Sequence, residues 1–305
     1  MGLKELLDVA AAGPVSAAEA HAALARGEAL LATGDRDGAA TALRIAAITP
    51  ETRLAAHNLI ESHGLFGSFS AWMGVDAYID AQDDVFNFFN GYGTWSSPMR
   101  DYVADGWRTL SELMLLIERG GRSLAGFEHV LEFASGHGRF TRHLVKAIGP
   151  EKVTVSDVVP EAVAFSTKRF GVHGFVSTSS PAQLKWPRQY DLVFVLSLFT
   201  HLPRASWGDW LARIWDAVSP GGVLIFTTHG EFAANRAAVQ MGAEEFRFYT
   251  ESESKALDAQ EYGTTYTLRR FVDRQIAELR LQPNRVDFAP AWFWGHQDAF
   301  MLHRP

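Results

Sequence analysis

The stretch from Val130 to Leu144, VLEFASGHGRFTRHL, constrains the fold more than any other in the chain. A short apolar run ends in Glu132. The small residues Ala134, Ser135, Gly136 and Gly138 follow, and a helical pattern then begins with Phe140, Leu144 and Ile148 on one face. This is strand, tight loop, helix. In an open α/β sheet a ligand binds at the carboxyl end of such a strand. Small residues let the loop backbone come close to that ligand, and the first helical N–H groups point at it.

From residue 127 strands and helices alternate, which is the pattern of a parallel sheet. Strands are expected over His129–Phe133, Lys152–Ser156, Gly174–Thr178, Asp191–Leu196 and Val223–Thr227. The second ends in Asp157, roughly twenty residues past the glycine loop, where an acidic residue holds a nucleotide ribose. The other reading of Asp157 is a plain helix cap, because Pro160-Glu161 opens the next helix.

The chain ahead of the sheet has a different character. Residues 1 to about 63 are rich in alanine and read as successive short helices, with Gly34-Asp35 between two of them and Pro50 closing the second. The pattern L-x-x-x-G-D-x-x-x-A faintly resembles one tetratricopeptide hairpin. An array needs several repeats at a period near 34, so the region is expected to be a helical cap or an arm for homodimer formation rather than a peptide-binding solenoid. Residues 64–100 are aromatic and glycine-rich, a stretch suited to interdomain packing or to a lid. In a lid, Tyr92 and Trp95 offer rings to a cation and Arg100 offers a fork to a carboxylate. An apolar helix over 101–119 leads into the sheet and ends at Gly120-Gly121. The division expected is a helical region over 1–85 and a second domain over 86–305, with 86–125 as lid or linker and 231–284 as an insertion.

Composition excludes several classes. Cysteine is absent, which removes disulfides and thiolate chemistry and fits a cytoplasmic protein. The net charge of −7, without a basic tract, argues against nucleic acid as a partner. No run of about 18 apolar residues suggests a membrane span, and the acidic start is a poor signal peptide.

The spacing E-x-A-S-G-x-G departs from the dinucleotide fingerprint G-x-G-x-x-G, because Thr141 stands at the third glycine position. It resembles motif I of the class I S-adenosylmethionine (SAM) methyltransferases, [D/E]-x-x-x-G-x-G. Asp157, the strand end DLVFVLSLFTHL, the unit SPGGVLIFTTHG and the closing pair RVDFAP and QDAFMLHRP follow in that family's order. The resemblance covers residues 125–305 and is nearest to a branch that acts on small molecules or sugars. It implies an α/β fold with a Rossmann-like, seven-stranded, mostly parallel sheet whose last strand is antiparallel, after an α-helical N-terminal region. It implies SAM as cofactor. Carried over by position, Glu132, Ala134, Ser135, Gly136 and Gly138 form the loop and amino-acid contacts. Asp157 and Val158 hold the ribose and adenine side, Ser179 reaches the adenine, and Leu196 and Ser197 lie by the methionine portion. Tyr92 and Arg100 join them if the aromatic segment is a lid.

A hydroxyl acceptor attacks the methyl better when a base takes its proton, and histidine suits that task near neutral pH. His201 follows strand four and His229 follows strand five, and both are expected at the reacting centre. Their other readings are loop orientation for His201 and packing for His229. Glu231 stands close to His229, but no denser ligand cluster suggests a metal. Substrate contacts are expected from Glu231, from Tyr262 and Tyr266 in the insertion, and from Trp292 and His296 in AWFWGHQ. The function expected is O-methylation of a small molecule or saccharide. The rivals are a cofactor-binding scaffold that recruits partners through its helical arm, and a nicotinamide-dependent oxidoreductase.

Overall fold

The computed structural model describes residues 15–91, 97–252, 254 and 257–305. The chain divides into two compact units, Met1–Gln82 with Phe89–Met99, and Asp83–Phe88 with Arg100–Pro305. Tyr92 and Trp95 lie outside the described residues.

In the first unit, helices α1 (Ala17–Thr33), α2 (Arg36–Ala46), α3 (Pro50–Ser62) and α4 (Phe69–Met73) follow one another closely. Ser16 and Glu19 cap α1 reciprocally: Ser16 Oγ accepts from the Glu19 N–H and the Glu19 carboxylate accepts from the Ser16 N–H. Gly34 ends α1 at φ +84°, and Asp35 caps α2 by accepting from the Gly38 N–H at 2.9 Å. Ala39, Ala40, Leu43, Ala46, Ala56 and Leu65 form the small core. Pro50 does not close a helix but opens α3. A proline is tolerated in a first turn, where the N–H it lacks has no intrahelical acceptor.

The second unit is built on a seven-stranded sheet in the order β3-β2-β1-β4-β5-β9-β8. The strands are β1 (Val130–Phe133), β2 (Val153–Asp157), β3 (His173–Val176), β4 (Tyr190–Val195), β5 (Val218–Thr228), β8 (Arg285–Phe293) and β9 (Gln297–His303). β9 is antiparallel to both neighbours, and the other pairings described are parallel. Successive residues face opposite sides of the sheet. Val193, Val195, Leu224, Phe226, Phe300 and Leu302 pack on Trp207, Trp210, Leu211 and Ile214 of helix α9 (Arg204–Asp216). Leu192, Phe194, Val223, Ile225 and Met301 pack on the opposite side with Leu113, Leu116 and Ile117 of α6 (Pro98–Arg119) and Phe140 and Leu144 at α7 (Thr141–Ile148). Burial on both faces is why these strands read as continuous apolar runs.

The start of one strand lies well ahead of where the sequence pattern puts it. β5 begins at Val218, because Ser219–Gly222 form an irregularity inside it. Tyr190 pairs with Val218 and Leu192 with Val223, and Gly221 takes φ +72°, which favours glycine. The insertion after β5 contains a helix, α10 (Glu231–Arg236), a two-stranded antiparallel hairpin of β6 (Phe246–Tyr249) and β7 (Thr264–Thr267), and α11 (Arg269–Glu278). Helices α5 (Asp84–Gly91) and α8 (Pro160–Phe170) complete the order.

Candidate active site

The turn after β1 is built mainly by backbone. Ala134 and Gly136 take φ +59° and +55°, and Gly138 takes +78°. The Ser135 N–H donates to the Ser156 carbonyl at 3.1 Å, which ties the turn to the end of β2. Asp157 sits at that end. Its Oδ2 accepts from the Gly136 N–H at 2.8 Å and its Oδ1 from the Val159 N–H at 3.0 Å. Burial still pushes the Asp157 carboxyl above its ordinary range, against these hydrogen bonds. Glu132 is buried beneath the turn and accepts from Thr141 Oγ1 at 2.7 Å. Burial pushes its carboxyl up to about 8; the Thr141 bond opposes this and nearby Asp157 adds to it.

Three features fit this turn to a nucleoside-type cofactor. Ser135 Oγ and His137 Nε2 are buried without a hydrogen-bond partner, a state that costs free energy until a ligand supplies one. A Cβ on Gly136 would meet nothing within 4 Å, so the turn is open at that position. Asp157 presents its carboxyl at the strand end beside the turn. At Gly138 the constraint is the reverse: a Cβ would stand 2.4 Å from the Phe170 ring, so only glycine lets α8 close on the turn.

The second cluster lies at the ends of β4 and β5 and the start of β9. Ser197, at φ +66°, turns the chain out of β4. Its N–H donates to Thr227 Oγ1 at 2.8 Å, Thr227 Oγ1 donates to Gln297 Oε1 at 2.6 Å, and Gln297 Nε2 donates to Ser197 Oγ at 2.9 Å. This closed network fixes the loop that carries His201. The Nδ1 of His201 donates to the Gly263 carbonyl at 2.7 Å, and its ring stacks on Tyr262 at 4.2 Å with planes 16° apart. A carbonyl only accepts, so Nδ1 holds the proton and Nε2 keeps its lone pair. His229 Nδ1 lies 3.2 Å from the Thr265 carbonyl, and its ring centroid is 5.2 Å from those of Tyr266 and His296. Burial lowers His201 to about 4. Burial, with His296 and His201 nearby, lowers His229 to about 3. Both rings are therefore neutral at pH 7.

The structure brings Glu132, Ala134, Ser135, Gly136, Gly138 and Asp157 together at the turn. It brings His201, His229, Tyr262, Tyr266 and His296 together at the second cluster. Val158 follows Asp157 at the end of β2 and is half-buried. Leu196, half-buried, packs on the core and leads into Ser197. Glu231 opens α10 and is exposed. Ser179 is exposed beyond β3. Arg100 is engaged by Asp101 at 2.7 Å. Trp292 is directed elsewhere: its Nε1 donates to the Glu112 carbonyl at 2.9 Å and it packs against the α6 side of the sheet. Among the described residues no group of three or more His, Cys, Asp or Glu could hold a metal ion.

Two residues escaped the reading of the sequence. His137 is the variable position inside G-x-G, where the pattern carries no chemical signal. Asp298, the second residue of β9, is 4% exposed, and its Oδ1 accepts from the Ala291 N–H at 2.7 Å. Burial raises its carboxyl, with Glu231 adding to the effect. A Cβ on Gly230 would stand 1.8 Å from its Oδ2, so glycine after His229 is what admits this acid. The only available hint was the Gln-Asp pair that starts the last strand.

A parallel sheet with one antiparallel strand inserted beside its edge, and a glycine turn facing an acid on the next strand, defines a nucleotide-type α/β domain. Residues 130–222 match the family model described as a methyltransferase domain. This stretch and the sheet order together give the chain the Rossmann-like sheet of a methyltransferase domain. Over 103 residues it is 28% identical to an alpha N-terminal protein methyltransferase of Caenorhabditis elegans, covering 32% of this chain and 44% of the relative. The chain therefore spans less than half the length of that relative. Similar solved structures include a magnesium protoporphyrin IX methyltransferase from Synechocystis PCC 6803 with bound S-adenosylhomocysteine. It has a TM-score of 0.48 and 14% identity, over 77% of this chain and all of that one. A 1,6-didemethyltoxoflavin N1-methyltransferase from Burkholderia thailandensis has a TM-score of 0.46 and 19% identity, over 75% and 93% of the two chains. Among the described residues no helix is long and apolar enough to cross a membrane.

Proposed function

We propose that the chain is a SAM-dependent methyltransferase that methylates a hydroxyl of a small molecule or saccharide. The observation that carries this reading is His201. It is an imidazole held neutral, with Nδ1 committed to Gly263 and the ring face covered by Tyr262. SAM supplies its own electrophile, a methyl on a positive sulfur, so the protein's work is orientation, desolvation and proton removal. The turn from Glu132 to Gly138 holds the amino-acid and ribose portions, with Asp157 accepting from the ribose hydroxyls. Nε2 of His201 takes the acceptor's proton as its oxygen attacks. His229 Nε2 is a second acceptor that orients the same hydroxyl. Tyr262, Tyr266 and His296 offer ring surface for a sugar face or an aromatic acceptor. Arg100 offers its guanidinium to the cofactor's carboxylate, and the helical region over 1–85 serves as a dimerisation arm.

Two measurements test this. Calorimetry with S-adenosylhomocysteine is expected to show one site per chain, and folded protein that gives no heat at submillimolar ligand overturns the cofactor reading. Transfer of labelled methyl from SAM to a panel of hydroxyl and amine acceptors tests the second half. Labelling confined to amines overturns O-methylation.

A further inference from the structure

The turn has an outer side as well as the inner one described above. Arg142, the second residue of α7, points into the protein and is 2% exposed. A guanidinium keeps its charge in any surroundings, so a buried one has to be held by acceptors and ring faces. Its Nε donates to the Gly138 carbonyl at 3.0 Å. The same carbonyl accepts from the Arg142 backbone N–H at 3.3 Å. Cζ lies 5.4 Å from the Tyr102 ring centroid and 5.2 Å from that of Phe170. The Tyr102 hydroxyl donates in turn to the buried Asp83 carboxylate. Gly138 is thus fixed from two directions, its carbonyl by Arg142 and its Cα by the Phe170 ring. One residue away, Arg139 pairs with Asp105 of α6. Gly106 lets that helix approach, since a Cβ there would stand 2.2 Å from the Arg139 carbonyl.

We propose that Arg142, backed by Tyr102 and Asp83, is a positioning residue for cofactor binding. It sets the peptide plane after Gly138 and thereby the turn whose inner side carries Ser135 Oγ, Gly136 and the His137 ring. The proposal rests on the SAM reading. A buried arginine that served packing alone would be replaceable by an apolar side chain at no cost to the turn. An arginine that aims a carbonyl is not replaceable in that way.

The test uses the full chain and S-adenosylhomocysteine as the probe. Calorimetry, thermal melts and the amide nitrogen shifts of Gly136 and Gly138 are recorded for wild type, Arg142→Gln, Arg142→Lys, Tyr102→Phe and Val145→Ala, the last a core control on the same helix. Arg142→Gln is expected to weaken binding at least tenfold. Arg142→Lys is expected to recover part of the loss, because an ammonium reaches the carbonyl without the planar fork. Tyr102→Phe is expected to lose about threefold. Val145→Ala lowers the melting temperature and leaves affinity unchanged. If Arg142→Gln binds like wild type, or if Val145→Ala at a matched melting temperature loses as much affinity, the proposal is overturned. Should Arg142→Gln fail to fold, Arg142→Lys and Tyr102→Phe decide by the same comparison. A wild type that ignores the ligand overturns the cofactor reading instead. The glycine amide shifts of unliganded Arg142→Lys then still report the positioning role: displaced shifts support it and unmoved shifts overturn it.

Discussion

The two halves of the candidate site are put together in opposite ways. The turn half comes largely from one stretch of 26 residues, Glu132 to Asp157, and its contacts run through backbone N–H groups. The histidine half gathers His201, His229, Tyr262, Tyr266, His296 and Asp298 from four separate segments and works through side chains. A site made of local backbone tolerates sequence change around it, provided the glycines and the acid remain. A site made of distant side chains changes its chemistry with any one of them. The first suits an invariant ligand and the second suits a selective one.

That contrast breaks most visibly at His201. His201→Gln keeps a polar group at the position but removes the basic nitrogen. Turnover is expected to fall by about 10²–10⁴, while affinity for S-adenosylhomocysteine stays at the wild-type value. Loss of affinity instead would mean that the two halves are one functional unit. Asp157→Ala tests the other half. It removes the acceptor of the Gly136 and Val159 N–H groups and the carboxylate offered to the ribose. Affinity in calorimetry is expected to drop roughly 10- to 100-fold at about 1.5–3 kcal/mol for charged hydrogen bonds, with the circular dichroism spectrum unchanged.

Proton linkage separates Glu132 of the turn from the buried histidines. His201 and His143 are lowered to about 4 and His229 to about 3, each mainly by burial. The unfolded chain therefore binds protons below about pH 6.5 that the folded chain refuses, and stability falls as pH drops from there toward 4. Glu132, raised to about 8, acts in the other direction. Folded protein keeps a proton that the unfolded carboxyl has lost, so this group costs stability as pH rises from about 4.5 to 8, by at most about 1.4 kcal/mol per pH unit. Urea midpoints without cofactor should show Glu132→Gln equal to wild type at pH 4 and more stable at pH 8. A constant offset between the two curves would remove Glu132 as the source.

The same contrast decides what the sequence disclosed. Strands buried on both faces announce themselves as apolar runs, and the glycine turn is contiguous, so the alternating strands, the strand–turn–helix around Gly136 and the place of Asp157 at the end of β2 were all legible. The start of β5 was hidden because Ser219–Gly222 look like a turn rather than an irregularity within a strand. The β6–β7 hairpin was hidden because its strands are four residues each and 14 residues apart, without a short-turn signal. AWFWGHQ shows the limit within seven residues. Positive φ at Trp294 and Gly295 reverses the chain there. Trp292 packs toward α6, whereas His296 meets His229. Spacing along the sequence cannot assign those two directions before the turn geometry is known.

The smallest expected effect tests whether the insertion shapes chemistry or only covers it. Tyr262 contributes its ring face to His201, and Gly263, the next residue, receives the Nδ1 proton. Tyr262→Leu removes the stacked face but keeps the backbone acceptor. An aromatic pair contributes about 0.5–1.5 kcal/mol beyond burial, so turnover should fall about 2- to 10-fold through a less restricted imidazole, with cofactor affinity unchanged. The pH at which turnover is half-maximal should rise toward the ordinary histidine value as water reaches the exposed ring face, because burial is what lowers His201. An unchanged profile with reduced turnover would assign Tyr262 to the acceptor rather than to the base. The insertion would then select the substrate without tuning the proton transfer.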